Sequence, residues 1–282
     1  MITIFNDFLT VTFSEKGAEL KSLKCEGKEY IWNGDPAFWS GSAPVLFPIC
    51  SGLKDNEFIF EGKTYSMPKH GFAKSEIFEA EVIKDDSVTF LLSSKNCPKE
   101  NYPFEYELRI IYTLDCKKIN VEYKINNLTD GEMFFSIGAH EGYYCPEGIE
   151  NYEIIFEKPE NLDAYQLVGP LLSFDTKNYG LDTTVLQLDN SLFDNDCLIF
   201  KNLNSKSLFL QNKTTNQKVR LCFDEFPYLL IWTIPGAPYV CIEPWCGITD
   251  NVNTTKLISE KEGICKIEKN NSFYRLHSLE IF

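Results

Sequence analysis

Hydrophobic and polar residues alternate along much of the chain with a period of two. Between Tyr106 and Leu114, every second side chain is apolar or aromatic, whereas the residues between them include Glu107, Arg109 and Thr113. Residues 119–125 repeat the pattern, and the intervening DCKK is predicted to be a turn. Because successive strand side chains point to opposite faces, these segments predict half-buried antiparallel strands.

Similar short runs recur along the chain, among them SVTFLLSS, NYEIIFEK, KVRLCFD and YLLIWTI. Turn-prone clusters such as NLTDGE separate them, and neither a long 3.6-residue periodicity nor a βαβ rhythm interrupts the series. Regular short strands at this spacing predict an all-β protein, a large antiparallel sandwich or barrel. With no linker or convincing internal repeat, residues 1–282 are predicted to form a single domain.

The composition of the chain limits the classes of molecule that it could bind. The chain of 282 residues carries 27 basic and 41 acidic residues, a net charge of −14, which would repel nucleic acid and anionic lipid. No apolar run approaches the roughly 20 residues that span a bilayer. The first residues, MITIFNDFLTVTF, resemble a strand rather than a signal peptide, so the sequence predicts a cytoplasmic protein without membrane partners.

Ten cysteines are scattered from Cys25 to Cys265 without a tight repeating spacing. Several, such as Cys222 and Cys241, lie within apolar strand-like runs, which predicts reduced and mostly buried thiols. Cys241 and Cys246 have neither a second cysteine pair nor a nearby histidine to complete a zinc pattern. We therefore expect neither a metal nor another cofactor.

The three histidines differ in their surroundings. His277, in RLHSLEIF, is predicted to lie at the surface of a strand. His70 and His140 instead stand beside glycines, in KHGFA and GAHEG, at predicted strand ends. Glycine allows tight turns and close approach of the backbone to a ligand, so both histidines are candidates for a functional site.

A glutamate stands out in CIEPWCG. Glu243 follows an apolar run and precedes Pro244 and Trp245, so we expect it at a strand end where proline stops the ladder. Beside tryptophan, its carboxylate suits a base or an acceptor for a sugar hydroxyl, although a solvated glutamate is the ordinary alternative. The residues together favour a sugar site, a feature that sandwich lectins share with enzymes.

Seven segments occur in the order found in one known family. They are Ala43–Pro48 (APVLFP), Glu61–Tyr65 (EGKTY), Lys69–Lys74 (KHGFAK), Ser136–His140 (SIGAH), Leu192–Phe200 (LFDNDCLIF), Phe226–Trp232 (FPYLLIW) and Cys241–Trp245 (CIEPW). In this ordered set the chain resembles the aldose 1-epimerases, or mutarotases, and specifically their LacX-like branch. The resemblance covers most of the chain, roughly residues 30 to 250.

The resemblance implies a galactose-mutarotase-like antiparallel β-sandwich that binds a sugar on a concave face. It implies that His140 is the general acid and Glu243 the general base, and that His70, Lys74 and Asp196 bind the substrate. The activity implied is interconversion of the α and β anomers of an aldose by ring opening and reclosure. A nearby carboxylate is expected to help keep His140 charged at neutral pH.

Three departures from the family pattern concern the substrate. Glu141 follows the histidine where many LacX-like chains have proline, and an extra carboxylate there would raise the pKa of His140 or alter sugar selection. Lys74 replaces a common arginine and loses its planar fork. The segment 40–42 (SGS) replaces an arginine that helps hold phosphate in related hexose-6-phosphate mutarotases, so we expect an unphosphorylated aldose as the partner.

Two other functions remain open from the sequence. One is a non-catalytic sugar-binding or sensing domain on the same fold, for which the Glu141 departure is the best support. The other is a glycoside-processing enzyme, which requires two carboxylates across the scissile bond, with Glu141 and Glu243 as candidates. The sequence makes no prediction of oligomeric state.

Overall fold

The computed structural model describes residues 1–97 and 100–282, which form 24 β-strands and six short 3-10 helices. The strands are β1 Ile2–Phe5, β2 Leu9–Phe13, β3 Leu20–Cys25, β4 Lys28–Glu29, β5 Glu57–Phe60, β6 Lys63–Ser66, β7 Glu79–Ile83, β8 Ser87–Ser93, β9 Tyr106–Asp115, β10 Lys118–Asn127, β11 Met133–Phe135, β12 Ile137–Gly138, β13 Gly142–Tyr144, β14 Tyr152–Glu160, β15 Asp163–Val168, β16 Leu171–Asn178, β17 Thr183–Gln187, β18 Leu198–Lys201, β19 Ser207–Asn212, β20 Lys218–Cys222, β21 Tyr228–Trp232, β22 Tyr239–Cys246, β23 Cys265–Ile267 and β24 Ser272–Ile281. The 3-10 helices are Lys54–Asn56, Ala73–Ser75, Ser94–Asn96, Ile149–Asn151, Asn190–Phe193 and Ile258–Glu260.

Two large sheets dominate the fold. One has nine strands in the order β17-β14-β19-β20-β24-β10-β9-β8-β7. The other has seven, in the order β12-β22-β21-β18-β15-β16, with β13 also paired to β22. These strands pair antiparallel, so the prediction of an all-β antiparallel sandwich is confirmed.

The alternation in the sequence corresponds directly to β9 and β10. Their register pairs Asp115 with Lys118 across the predicted turn, where Cys116 has φ 53°. In both strands every second residue is buried, including Tyr106, Leu108 and Ile110 in β9. The period-two pattern therefore indicated both the strands and the face that each turns to the core.

The main core lies between the two large sheets. From the seven-stranded sheet, Val240 and Ile242 of β22 join it, and from the nine-stranded sheet, Tyr123 of β10 and Leu279 of β24. The alternate residues of β22 belong to other clusters on its opposite face, among them Cys241. Strand β22 is therefore buried on both faces, because one packs on the core and the other underlies a pocket.

The prediction that His277 lies at the surface is wrong. His277 is 1% exposed, because β24 is an interior strand of the nine-stranded sheet, between β20 and β10. The sequence held the signal: His277 shares its parity with Leu279 and Ile281, whose side chains are also buried. A histidine in phase with core residues is expected on the core face.

All ten cysteines are free thiols, five buried, four half-buried and only Cys116 exposed. Among the described residues, no helix is long and apolar enough to cross a membrane.

Candidate active site

An interruption in the sheet creates the site. Strands β12 and β13 both pair with β22, through Gly138 to Trp245 and through Gly142 to Cys241, and leave an irregular link at residues 139–141. Two backbone bonds tie this link to β22: Ala139 N–H donates to the carbonyl of Pro244 (3.2 Å), and Ile242 N–H donates to that of Glu141 (3.3 Å). His140 lies between these ties.

Glu243 lies within β22, so the expectation that Pro244 ends the strand is wrong. The strand runs through Pro244 to Cys246. A strand residue directs its N–H and C=O to the same side, and the Pro244 carbonyl faces the irregular link. The missing proline N–H therefore falls where β12 and β13 are interrupted, and the ladder with β21 continues, pairing Leu230 with Glu243.

His140 and Glu243 form a buried pair. The His140 Nε2 atom lies 3.4 Å from Glu243 Oε2, and the two residues are 8% and 2% exposed. Trp39 packs along the imidazole with ring centroids 4.9 Å apart, and Trp232 meets it edge-on at 5.8 Å. Among the described residues, Glu243 Oε2 has no hydrogen-bond partner, so its capacity to accept a hydrogen bond is unused.

Burial sets the protonation of the pair. It lowers the pKa of His140 to about 3, with smaller contributions in the same direction from Lys69 and Lys74. Burial also raises the pKa of Glu243 well above its usual range, assisted by the charge of Glu141 and opposed by Lys69. The expectation that a carboxylate keeps His140 charged is therefore wrong for the free protein: desolvation favours an uncharged imidazole beside a protonated carboxyl group.

His70 presents a hydrogen-bond donor to the same space. Its Nδ1 accepts from the backbone N–H of Ser51 (3.1 Å), and burial lowers the pKa of His70 well below its usual range. A neutral imidazole that accepts at Nδ1 carries its proton on Nε2. The ring meets His140 and Trp245 edge-on, with centroids 5.3 and 5.8 Å away.

The turn at His70 depends on Gly71. Both residues have φ 68°, in the left-handed region. A Cβ on Gly71 would lie 2.2 Å from the carbonyl oxygen of Phe47, which in turn accepts from the N–H groups of Phe72 and Ala73. Only glycine allows this approach, and the conformation at His70 is one that non-glycine residues rarely adopt.

The predicted site residues surround one cavity of about 700 Å³: His140, Glu243, His70, Lys74 and Asp196 all line it. Lys74 is half-buried, and its Nζ donates to the carbonyl of Lys69 (3.1 Å). Burial lowers the Lys74 pKa, with a further contribution from the Lys69 charge. Asp196 follows the 3-10 helix at Asn190–Phe193 and has φ 82°. The structure thus brings together residues separated by up to 173 positions (243 − 70).

The sequence analysis missed several residues of the cavity. Trp39 and Trp232 supply aromatic walls next to His140, and Lys16 and Lys69 add cations. Lys69 could have been found as the neighbour of His70, and Trp39 as an aromatic residue beside SGS. Lys16 gave no comparable signal, because only the packing of the β2–β3 turn brings it to the cavity.

Glu141 lies outside this lining. Its Oε1 is 2.9 Å from His277 Nε2, and the carboxylate is buried behind the link rather than in front of it. The sequence had suggested that Glu141 raises the pKa of His140. The structure instead gives Glu141 a contribution to the raised pKa of Glu243. It is also not placed to face Glu243 across a glycosidic bond.

One group of donors in the described part of the chain would suit a metal ion. Atoms of His140, Cys241 and Glu243 lie within 4.8 Å of one another, and all three residues are buried. Histidine, cysteine and carboxylate are all ligands that zinc accepts. The absence of a resident metal stays a prediction.

Comparison with known proteins shows the family to which this chain belongs. The fold and the site define an all-β sandwich with an aromatic-walled pocket around a buried histidine–glutamate pair. A model of the aldose 1-epimerase family matches residues 1–276. The plasmid and chromosomal LacX proteins of Lactococcus lactis subsp. lactis are 33% identical over 281 residues, covering 94% of both chains. This chain therefore belongs to the aldose 1-epimerase family, and its resemblance to the LacX-like branch is confirmed.

Solved structures of similar proteins have the same fold. A galactose mutarotase related enzyme from Lactobacillus acidophilus superposes with a TM-score of 0.93 at 29% identity, covering 100% of this chain and 97% of its own. A galactose mutarotase-like protein from Lactobacillus casei gives 0.93 at 27% identity, with full coverage of both chains. The sandwich is thus shared along its length.

Proposed function

We propose that the protein is an aldose 1-epimerase that interconverts the α and β anomers of an unphosphorylated aldose. The observation that carries the proposal is the His140–Glu243 pair, 3.4 Å apart and open to a cavity with donors and aromatic walls. Family membership supports an isomerase of this type, and the geometry supplies named groups for its two proton transfers.

Ring opening needs one proton removed and one supplied. The anomeric hydroxyl loses its proton to Glu243 while the ring oxygen gains one from His140, and the C1–O5 bond breaks to leave an open-chain aldehyde. Rotation about C1–C2 and reversal of both transfers closes the opposite anomer. Each positioned acid or base typically contributes about 10²–10⁴-fold to the rate.

The pair holds the one proton that this cycle requires. In the free site it rests on Glu243, whereas the proposed roles require it on His140. Nε2 and Oε2 lie 3.4 Å apart, so the proton passes between them once the two side chains align in a hydrogen bond. Sugar hydroxyls that donate to Glu243 would replace lost solvation and favour the ionised carboxylate.

His70, Lys74 and Asp196 are proposed to hold the sugar. His70 offers an Nε2–H donor, Lys74 a second donor, and Asp196 an acceptor for hydroxyls. The tryptophan walls suit the apolar faces of a pyranose. Because Lys16 and Lys69 also line the cavity, a substrate panel should include hexose phosphates, and a clear preference for them would contradict the unphosphorylated part of the proposal.

Purified protein is expected to accelerate the mutarotation of freshly dissolved α-aldoses, followed by polarimetry or saturation-transfer NMR. His140→Asn and Glu243→Gln should each reduce kcat by at least about 10²-fold. Glu160→Gln is the matched control: Glu160 is also a buried carboxylate, but it accepts from the N–H groups of Asn204 and Ser205 and lies outside the cavity lining.

An unchanged polarimetric decay across a panel of aldoses would refute the proposal. Sugar binding by calorimetry without any acceleration would instead indicate a non-catalytic sugar-binding domain. Release of nitrophenol from aryl glycosides would favour glycoside hydrolysis, which the position of Glu141 outside the cavity argues against.

A further inference from the structure

The link that carries His140 is anchored on its far side. His140 faces the cavity, and the next side chain, Glu141, points the opposite way, into the interior between the sheets. Backbone ties at Ala139 and Glu141 fix the ends of the link to β22. Besides these ties, the side chain of Glu141 makes a contact from the link to the interior.

The hydrogen bond between Glu141 and His277, which we call the anchor, connects the two sheets of the sandwich. Glu141 belongs to the link between β12 and β13, and His277 belongs to β24 of the nine-stranded sheet, so their 2.9 Å contact joins the two sheets directly behind His140. The residues are 5% and 1% exposed. Tyr123 stacks on the His277 ring at 5.6 Å, and Phe226 meets it edge-on at 6.0 Å, so the anchor point is itself held in place.

Stability alone does not account for this pair. Within the described residues, Glu141 Oε2 and His277 Nδ1 are buried without a hydrogen-bond partner. A buried polar pair that is only partly satisfied is commonly no better for the fold than well-packed apolar residues of similar size. Its place beside His140 suggests another benefit.

We infer that Glu141 and His277 are positioning residues, whose hydrogen bond holds His140 at its working distance from Glu243. The inference rests on the proposed function for its catalytic consequence, but not for its structural one.

Kinetics provides the first test. In Glu141→Met/His277→Phe, apolar side chains replace both partners, and kcat should fall about 10- to 100-fold through misplacement of His140 while KM stays within about twofold. Glu141→Gln retains an acceptor for His277 and should keep kcat within about threefold of wild type. Glu160→Gln again serves as the buried control and should change neither constant.

Imidazole NMR provides a test that does not depend on activity. With only three histidines in the chain, each Cε1–H signal can be assigned by its loss in a single substitution. The His140 signal should shift or broaden more in the double variant than in Glu141→Gln, which changes the same neighbour of His140 but keeps the acceptor, and it should stay at its wild-type position in Glu160→Gln. If the double variant does not fold, His277→Gln, which keeps a polar side chain of similar reach, is measured in the same way.

Two results would overturn the inference: an unchanged kcat in a folded double variant, or a His140 signal that the loss of the anchor leaves unmoved. A merely structural pair would lower the Tm and affect neither readout. If the wild type proves inactive on every aldose, the proposed function fails, whereas the NMR comparison still decides whether the anchor positions His140.

Discussion

At the scale of single residues, the site buries ionisable side chains that are more stable in water when they are charged. Glu243 is a carboxylate that is only 2% exposed, and burial raises its pKa well above the usual range. A raised pKa means that the folded state binds the proton more tightly than the unfolded state. The fold therefore loses stability from this group as the pH rises above about 4.5, until the pKa in the folded state is passed.

Glu243→Gln should consequently stabilise the free protein while it removes activity. Near pH 4 the unfolded glutamate is largely protonated and glutamine is its near-isostere, so the two melting temperatures should be similar. At pH 8 the variant should be more stable, with each unit of the Glu243 pKa shift corresponding to about 1.4 kcal/mol. Calorimetric melting at both pH values measures the difference.

The sign of this pH dependence is the critical outcome. His140, whose pKa is lowered to about 3, has the opposite dependence: its cost appears as the pH falls below about 6.5. Because His140 is present in both proteins, its effect largely cancels in the comparison. A Tm advantage that is absent at pH 8 would contradict the assignment of an enclosed, proton-retaining Glu243.

At the scale of elements, the regular strands were predictable and the irregular link was not. Strand β9 has an apolar or aromatic side chain at every second position from Tyr106 to Leu114, with only Ile111 apolar between them, and this pattern indicated both strand and face. The segment at 139–141 has no such period, and its structure depends on β22, about a hundred positions away. The prediction that Pro244 ends its strand failed for the same reason. A missing N–H ends a strand only where a neighbouring strand would accept from it, and the neighbours of β22 are interrupted there.

His277 shows a different limit. Its parity matched Leu279 and Ile281, but a polar residue at a core position needs a partner, and Glu141 is 136 positions distant (277 − 141). His140, His70 and Glu243 were candidates from their local sequence, and the family resemblance added Lys74 and Asp196. The convergence of these residues on one cavity follows from the sheet topology. Their distances and protonation needed the packed structure.

The turn that carries His70 yields a prediction at this scale. Gly71→Ala forces a Cβ to within 2.2 Å of a backbone carbonyl that cannot yield, whereas Gly62→Ala meets no atom within 4 Å at a similar φ of 75°. Gly62→Ala should cost about 1 kcal/mol, the strain of a left-handed backbone. Gly71→Ala should cost at least about 3 kcal/mol, because backbone strain and a steric clash add.

Urea unfolding of the two variants measures this contrast. The Gly62 variant controls for the loss of glycine's conformational freedom, so only the clash with the Phe47 carbonyl separates the two. Equal destabilisation would show that the Phe47–Gly71 contact is looser than the structure has it.

At the scale of the whole molecule, the charge of −14 bears on substrate capture. A neutral aldose gains nothing from the field of the protein, so screening that field should not alter capture. For a neutral sugar, kcat/KM should change less than about twofold between roughly 20 and 500 mM salt, across which the screening length falls severalfold.

A hexose phosphate provides the comparison. Its capture would respond to Lys16, Lys69 and Lys74 in the cavity as well as to the acidic surface, so its kcat/KM should depend visibly on salt. Strong salt dependence with the neutral sugar would show that a step other than capture of an uncharged molecule limits kcat/KM.

The position of β24 also has a consequence for how the protein is made. Residues 272–281 lie between β10 and β20, yet they leave the ribosome after the chain that holds His140 and Glu243. Until then the nine-stranded sheet is in two parts with open edges, and the link at His140 lacks its anchor. A chain that ended before residue 272 would thus contain both members of the proposed catalytic pair without the strand that carries His277, and the proposed positioning predicts weak activity for it until β24 is in place.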